Sequence, residues 1–72
     1  MEKIIRDIKK LHSDQKLYVS CKKNYVLMFH KCWYSYRVTL LHRSDILGYS
    51  CFIKSFGFMG LGKAIKVLKQ YY

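Results

Sequence analysis

The chain has 72 residues, enough for one domain (1–72), of which 51% are hydrophobic and 17% aromatic. Such a content of aromatic residues excludes a disordered tail, which would be poor in them. Fourteen Lys and Arg oppose four Asp and Glu, so the formal net charge is +10. A folded body with this charge attracts phosphate backbones or anionic membrane surfaces, although a merely basic surface would have the same composition.

The first predicted elements are a helix over residues 2–12 and a strand over residues 16–22. The apolar residues of the helix share one face: Ile4, Ile5, Ile8 and Leu11. Ser13-Asp14 is the predicted break between the two elements. In the strand, Val19 and Tyr18 belong to alternate faces. Lys23-Asn24 is a predicted turn because Asn tolerates left-handed backbone.

The middle of the chain predicts two paired strands. Residues 25–30 are a continuous apolar run, too short for a typical helix, which favours a strand covered on both faces. Residues 34–41 alternate, so that Tyr34 and Tyr36 share one face and Arg37 lies on the other. The three residues between the two runs are the predicted hairpin connection.

The last third predicts a polar loop over 42–45, a fourth strand over 48–54 and a glycine-containing loop over 55–62. A second helix opens at Leu61 or Gly62, and its apolar residues form one stripe: Leu61, Ala64, Ile65, Leu68 and Tyr72. The predicted order is α-β-β-β-β-α, or α-β-β-β-α if the short first strand does not form. This is an α+β fold, a small antiparallel sheet of three to four strands with an N-terminal and a C-terminal helix packed on one face.

Residues 57–64 (GFMGLGKA) fit the G-x-x-x-x-G-K pattern of a phosphate-binding loop. Ala64 replaces the Ser or Thr that would bind magnesium, and the chain is too short for a nucleotide-hydrolysing domain, so we do not expect hydrolysis. Two alternatives remain for this segment. Backbone N–H groups at the helix start could hold a phosphate beside Lys63, or the glycines only permit a tight crossover.

Neither a metal site nor catalysis is expected. Three cysteines without paired spacing predict reduced thiols in a cytoplasmic protein: Cys21, Cys32 and Cys51. His30-x-Cys32 is the one close pair of metal-ligating residues, whereas structural zinc sites usually carry a C-x₂₋₄-C pair. The few acidic residues provide no paired carboxylates, so we expect a non-enzymatic protein without cofactors. Because charged residues alternate with apolar ones over residues 1–11 and no long apolar run occurs, we expect neither a signal peptide nor a membrane partner.

The strongest functional pattern is the interleaving of basic and aromatic residues. Lys and Arg neutralise phosphates, hydroxyl groups bond to phosphates or base edges, and exposed aromatic rings stack on unpaired bases. The same pattern also suits an ordinary solvated sheet face. The predicted nucleic-acid-binding residues are Lys16, Tyr18, Lys22, Lys23, Lys31, Trp33, Arg37, Arg43 and Lys63. Among them, Tyr18 and Trp33 would serve as stacking or packing contacts.

A family resemblance over residues 25–71 is carried by Trp33, Tyr36, Val38, Gly48, Ala64, Ile65 and Leu68. This pattern resembles AP2-type and phage-integrase arm-binding DNA-binding domains. The resemblance implies a three-stranded sheet with a C-terminal helix, and a sheet that reads the major groove. The chain departs from the pattern by its extra helix and strand in front and by the predicted loop 57–62. Functional residues are therefore carried over only to Trp33 and Arg37.

Two candidate functions from different classes follow, and the second is the alternative to the first. The first is non-catalytic binding of nucleic acid, DNA rather than RNA, alone or in a nucleoprotein complex. The second is that of a phage or mobile-element inhibitor, which binds and blocks a host protein machine such as a CRISPR effector. A peripheral membrane binder is disfavoured because the apolar stripe of the last helix is needed for the core. A homodimer is compatible with either expected function.

Overall fold

A computed structural model describes residues 1–44 and 50–72 of the chain. Its helices and strands are α1 (Glu2–Lys9), β1 (Lys16–Ser20), β2 (Tyr25–Cys32), β3 (Ser35–Arg43), β4 (Ser50–Met59) and α2 (Leu61–Tyr71). A short 3₁₀ turn, Lys22–Asn24, joins β1 to β2. The four strands form one antiparallel sheet in the order β1-β2-β3-β4. The predicted α+β fold with the order α-β-β-β-β-α is confirmed.

Both helices pack on one face of the sheet, here called the core face. The buried cluster contains residues from α1, from strands β1, β2 and β3, and from α2: Ile8, Val19, Leu27, Phe29, Tyr36, Val38, Leu40, Ala64 and Leu68. Its strand members share one face because they alternate along each strand and lie opposite one another. The Tyr36 hydroxyl donates a hydrogen bond of 3.2 Å to the Ile8 carbonyl, which ties α1 to the sheet. The opposite face carries neither described helix and is called the open face.

Helix α1 is shorter than predicted, since it ends at Lys9 and not at residue 12. The predicted break at Ser13-Asp14 has a structural cause. Asp14 adopts a φ of 68°, and its N–H donates a hydrogen bond of 2.8 Å to the Lys31 carbonyl. The chain has therefore already joined the edge of β2 before β1 begins. The turn at Lys23 and Asn24 is as predicted, with φ values of 58° and 63°.

The central hairpin is tighter than predicted. β2 continues through Cys32, which pairs with Ser35, so the connection is the two residues Trp33 and Tyr34. Tyr34 therefore lies in the turn and does not share a strand face with the buried Tyr36. Trp33 has a φ of 53°, and the favoured two-residue hairpin turns, types I′ and II′, have a positive φ at their first position. The predicted hairpin connection therefore exists, but at residues 33–34 and not 31–33, since neither Trp33 nor Tyr34 is a typical turn former that would indicate the position.

The predicted loop 55–62 is wrong, because β4 continues to Met59 and only Gly60 separates it from α2. Two register shifts against β3, one between Val38 and Thr39 and one between Leu40 and Leu41, interrupt the alternation along β4. Gly57 has a φ of 78° beside the first shift, a conformation that glycine adopts without strain. Residues 45–49, which include parts of the predicted loop 42–45 and strand 48–54, lie outside the described residues.

The predicted start of the polar loop 42–45 is wrong, because His42 and Arg43 belong to β3. Helix α2 begins at Leu61, as predicted, but its apolar stripe differs. Val67 and Tyr71 pack against the core cluster, whereas Tyr72 is 40% exposed. Neither helix in the described part of the chain is long and apolar enough to cross a membrane.

Candidate nucleic-acid interface

Three rows of side chains cross the open face from β1 to β4. The strand register defines the rows as Lys16–His30–Arg37–Phe58, Tyr18–Met28–Thr39–Ser55 and Ser20–Val26–Leu41–Phe52. Residues that lie directly opposite in an antiparallel sheet point to the same face, so each row is a line of neighbours. The three rows together define the open-face site.

Exposed aromatic rings stand at the edges of the open-face site. Tyr18 on β1 and Phe52 and Phe58 on β4 are exposed by between 59% and 65%. The inner strands are different, because Val26 and Thr39 are buried although they are not part of the core cluster. The site thus has buried side chains at its centre and exposed aromatic rings at its two edges.

Cationic side chains lie at both ends of the open-face site. Lys16 and Arg37 are exposed in the first row. Arg43 lies beyond the third row, and its Nη2 donates a hydrogen bond of 2.9 Å to the Ser20 Oγ. This bond spans β2 and holds the guanidinium group over the sheet.

His30 lies between Lys16 and Arg37 in the first row and is half-buried. Its Nε2 is 3.8 Å from the Asp14 carboxylate, which forms an ion pair when the imidazole is protonated. Its Nδ1 is 3.7 Å from the Cys32 Sγ. Asp14 is 94% exposed and lies outside the three rows, next to the first one. None of the twelve side chains in the described rows is acidic.

Lys22 and Lys23 lie at a different place, in the turn between β1 and β2. They line a cleft of about 300 Å³ together with Tyr25, Gln70 and Tyr71. The Tyr25 and Tyr71 rings meet edge to face, with centroids 5.8 Å apart, and form one wall of the cleft. These two lysines are therefore not part of the open-face site.

Lys31 and Lys63 are also separated from the open face. Lys31 belongs to the core-face side of β2, and its Nζ is 4.4 Å from the centroid of the Tyr36 ring, a cation–π contact. Lys63 is exposed in the first turn of α2. Residues 57–59 belong to a strand, so the glycine-rich segment does not form the loop expected of a phosphate cradle. The structure favours the alternative in which these glycines make a tight connection.

The hairpin tip is an aromatic projection. Trp33 and Tyr34 are 80% and 92% exposed, so the packing role considered for Trp33 is wrong. The tip lies at the same end of the sheet as the first row, and two residue pairs separate it from the pair of His30 and Arg37. A bulky residue at positive φ is strained, and such strain is concentrated at functional positions.

Sequence reasoning missed Phe52, Phe58 and His30 as site residues. Phe58 fell in a predicted loop, and only its pairing with Arg37 places it on the open face. Residues 51–59 are mostly apolar or aromatic, interrupted by Lys54, Ser55 and Gly57, and this composition is the signal that could have indicated a longer strand. Its alternation is obscured by the two register shifts.

The thiols do not assemble into a site. Cys21, Cys32 and Cys51 are free and half-buried. Within residues 1–44 and 50–72, no three His, Cys, Asp or Glu side chains are grouped so as to hold a metal ion. Burial raises the pKa of the Cys21 thiol, and a hydrogen bond with the Leu27 backbone partly opposes that rise.

Comparison with protein-family models, curated proteins and solved structures found no match to this chain. Functional assignment therefore depends on the geometry of the chain itself.

Proposed function

We propose that the protein is a non-catalytic nucleic-acid-binding protein, acting on DNA, which contacts phosphates through the open-face site. The carrying observation is the exposure of Lys16, Arg37 and Arg43 on a sheet face that carries neither described helix. The net charge of +10 supplies the long-range attraction that brings a polyanion to this face.

The spacing of these cations suits a nucleic-acid backbone. Arg37 and Arg43 are six residues apart on β3, which corresponds to about 20 Å along a strand. One strand of B-DNA carries a phosphate about every 3.4 Å, so this distance spans roughly six nucleotides. Ser20, Ser55 and the Tyr18 hydroxyl add neutral groups of the kind that bond to phosphate oxygens.

The family resemblance supports the same assignment. In the families concerned, a three-stranded sheet with a C-terminal helix reads DNA with the sheet. Strands β2, β3 and β4 with α2 make up a three-stranded unit and a helix on its core face. Arg37, one of the two residues to which the resemblance extends, lies in the first row of the open face.

Titration with duplex and single-stranded DNA tests the proposal. We expect micromolar or tighter binding at low salt and, for contacts with roughly four to six phosphates, a slope of log affinity against log salt of about −4 to −5. Arg37→Glu should weaken binding far more than Lys69→Glu, since Lys69 is exposed on α2. Equal weakening by the two charge reversals would indicate a diffuse positive field. Absence of binding to DNA and RNA at about 50 mM salt would refute the proposal.

The hairpin tip supports a second candidate function, inhibition of a host protein machine such as a CRISPR effector by a phage or mobile-element protein. Trp and Tyr are enriched among the residues that dominate protein–protein binding energies, and Trp33 and Tyr34 are both freely exposed. In cells defended by such an effector, expression of the protein should restore infection by a targeted phage. The double substitution Trp33→Ala and Tyr34→Ala should abolish this effect, and Lys69→Glu should preserve it.

A further inference from the structure

We infer that the nucleic acid bound by the open-face site is a single strand, whose unpaired bases stack on Tyr18, Phe52 and Phe58. This inference rests on the proposed function and adds the class of nucleic acid. It starts from the side-chain chemistry of the exposed rings. A phenylalanine ring neither donates nor accepts a conventional hydrogen bond, so Phe52 and Phe58 can form hydrogen bonds neither with base edges nor with phosphates. Toward a base edge they can make only apolar contact, as with a thymine methyl group, and their largest contact surface is the ring face.

An intact duplex offers the phosphates but no exposed base face on which these rings can stack, unless its base steps are opened. Its bases are stacked on one another and present only their edges in the grooves, whereas an unpaired base exposes a π-face. Proteins that bind single strands combine a positively charged surface with aromatic side chains on which bases stack. The open face has this combination, because Phe58 is the cross-strand neighbour of Arg37.

The rings are spaced for a strand that crosses the sheet. Tyr18 lies on β1 and the two phenylalanines on β4, three strand spacings or about 14 Å away. Phe52 and Phe58 occupy the third and the first row of the site. A flexible single strand can direct separate bases to these positions, since its backbone is not constrained by a partner strand.

Charge complementarity selects this occupant over a second copy of the chain. The described rows contain cationic side chains and no acidic ones. Two copies packed face to face would bring two surfaces of like charge together, because Lys16 and Arg37 lie at one end of the site and Arg43 lies at the other. A polyanion neutralises these charges while its bases cover the apolar rings.

The experiment compares oligothymidine of about 16 nucleotides, which suits the site sizes of single-strand-binding folds, with a DNA duplex of oligothymidine and oligodeoxyadenosine of equal length. We expect tighter binding of the single strand to the full chain. Phe58→Ala and Phe52→Ala should each weaken single-strand binding by roughly 5- to 150-fold, the range for loss of one stacked base. Duplex binding should change much less.

Matched variants separate ring stacking from folding. Phe58→Leu keeps an apolar side chain and should lose single-strand affinity while it keeps the wild-type unfolding midpoint. Tyr72→Ala removes an exposed ring from the end of α2 and should leave affinity unchanged. The inference would be overturned if single-strand affinity fell only in those Phe variants whose unfolding midpoint also falls, because the loss would then reflect unfolding and not lost stacking.

The remaining outcomes distinguish this inference from the proposed function. Salt-dependent binding that Arg37→Glu weakens but Phe52→Ala and Phe58→Ala leave intact would overturn single-strand stacking and keep the proposed function. A dimer in solution that Phe58→Ala dissociates would overturn the inference in favour of a second copy as occupant. Absence of binding to any nucleic acid would overturn both.

Discussion

Trp33→Gly is expected to stabilise the protein, although it removes the largest side chain. Trp33 is the first residue of the two-residue connection between β2 and β3 and adopts a φ of 53°. An L-residue in this left-handed region costs roughly 1–2 kcal/mol, whereas glycine adopts it freely. Because the Trp33 side chain is 80% exposed, its removal sacrifices little buried apolar surface.

The net magnitude follows from two opposing terms. Glycine loses more backbone freedom on folding, which costs roughly 0.5–1 kcal/mol and offsets part of the relief of strain. We therefore expect a net gain of roughly 0.5–1 kcal/mol in the free energy of unfolding. For a domain of this size, 1 kcal/mol shifts the midpoint of thermal unfolding by about 4–8 °C. Tyr34 is not among the described residues with positive φ, so Tyr34→Gly brings only the entropic cost and should destabilise.

Urea and thermal unfolding of the wild type, Trp33→Gly and Tyr34→Gly measure these effects under identical conditions. Opposite signs for the two variants are the expected result, and the fold should be unchanged by circular dichroism. If Trp33→Gly destabilised the protein as much as Tyr34→Gly does, the reasoning would be refuted. The indole ring would then make stabilising contacts, or the connection would have another conformation.

Two further predictions concern stability. Leu68→Ala should cost roughly 2–5 kcal/mol, because the Leu68 side chain is fully buried between α2 and the sheet, whereas the exposed Lys66→Ala should change stability by less than about 0.5 kcal/mol. Similar urea midpoints for these two variants would show that the buried face of α2 is wrongly assigned. Burial raises the pKa of the Cys21 thiol above its ordinary value of 9.0. The protonated thiol therefore contributes fully to the free energy of unfolding below about pH 9, and this contribution is lost as the pH rises through the pKa of the folded state. The free energy of unfolding, measured across this alkaline range, should decline less steeply for Cys21→Ala than for the wild type; parallel curves would contradict the assignment.

Local pattern was sufficient where alternation or helical spacing was unbroken. The alternation of β3 correctly separates the buried Tyr36 from the exposed Arg37, and that of β1 separates Val19 from Tyr18. The start of α2 at Leu61 is equally local. In each case the environment of a residue depends on neighbours within a few positions along the chain, so the sequence is sufficient to predict it.

The candidate site could be predicted only in part. Lys16, Tyr18 and Arg37 follow from strand alternation, and the structure places them on the open face. Phe52 and Phe58 could not be predicted, because their face depends on two register shifts against β3. Those shifts are set by pairing with a distant segment and by the positive φ of Gly57.

The sequence by itself determined the charge, the α+β class and the middle of each central strand, and it favoured the α-β-β-β-β-α order, since composition and periodicity are properties of the chain alone. Tertiary structure decided which predicted cations share a surface. It left Arg37 on the open face, turned Lys31 toward the Tyr36 ring and placed Lys22 beside a cleft at the end of α2. The physical reason is that strand register and helix docking depend on contacts between residues far apart in sequence, which no local period encodes.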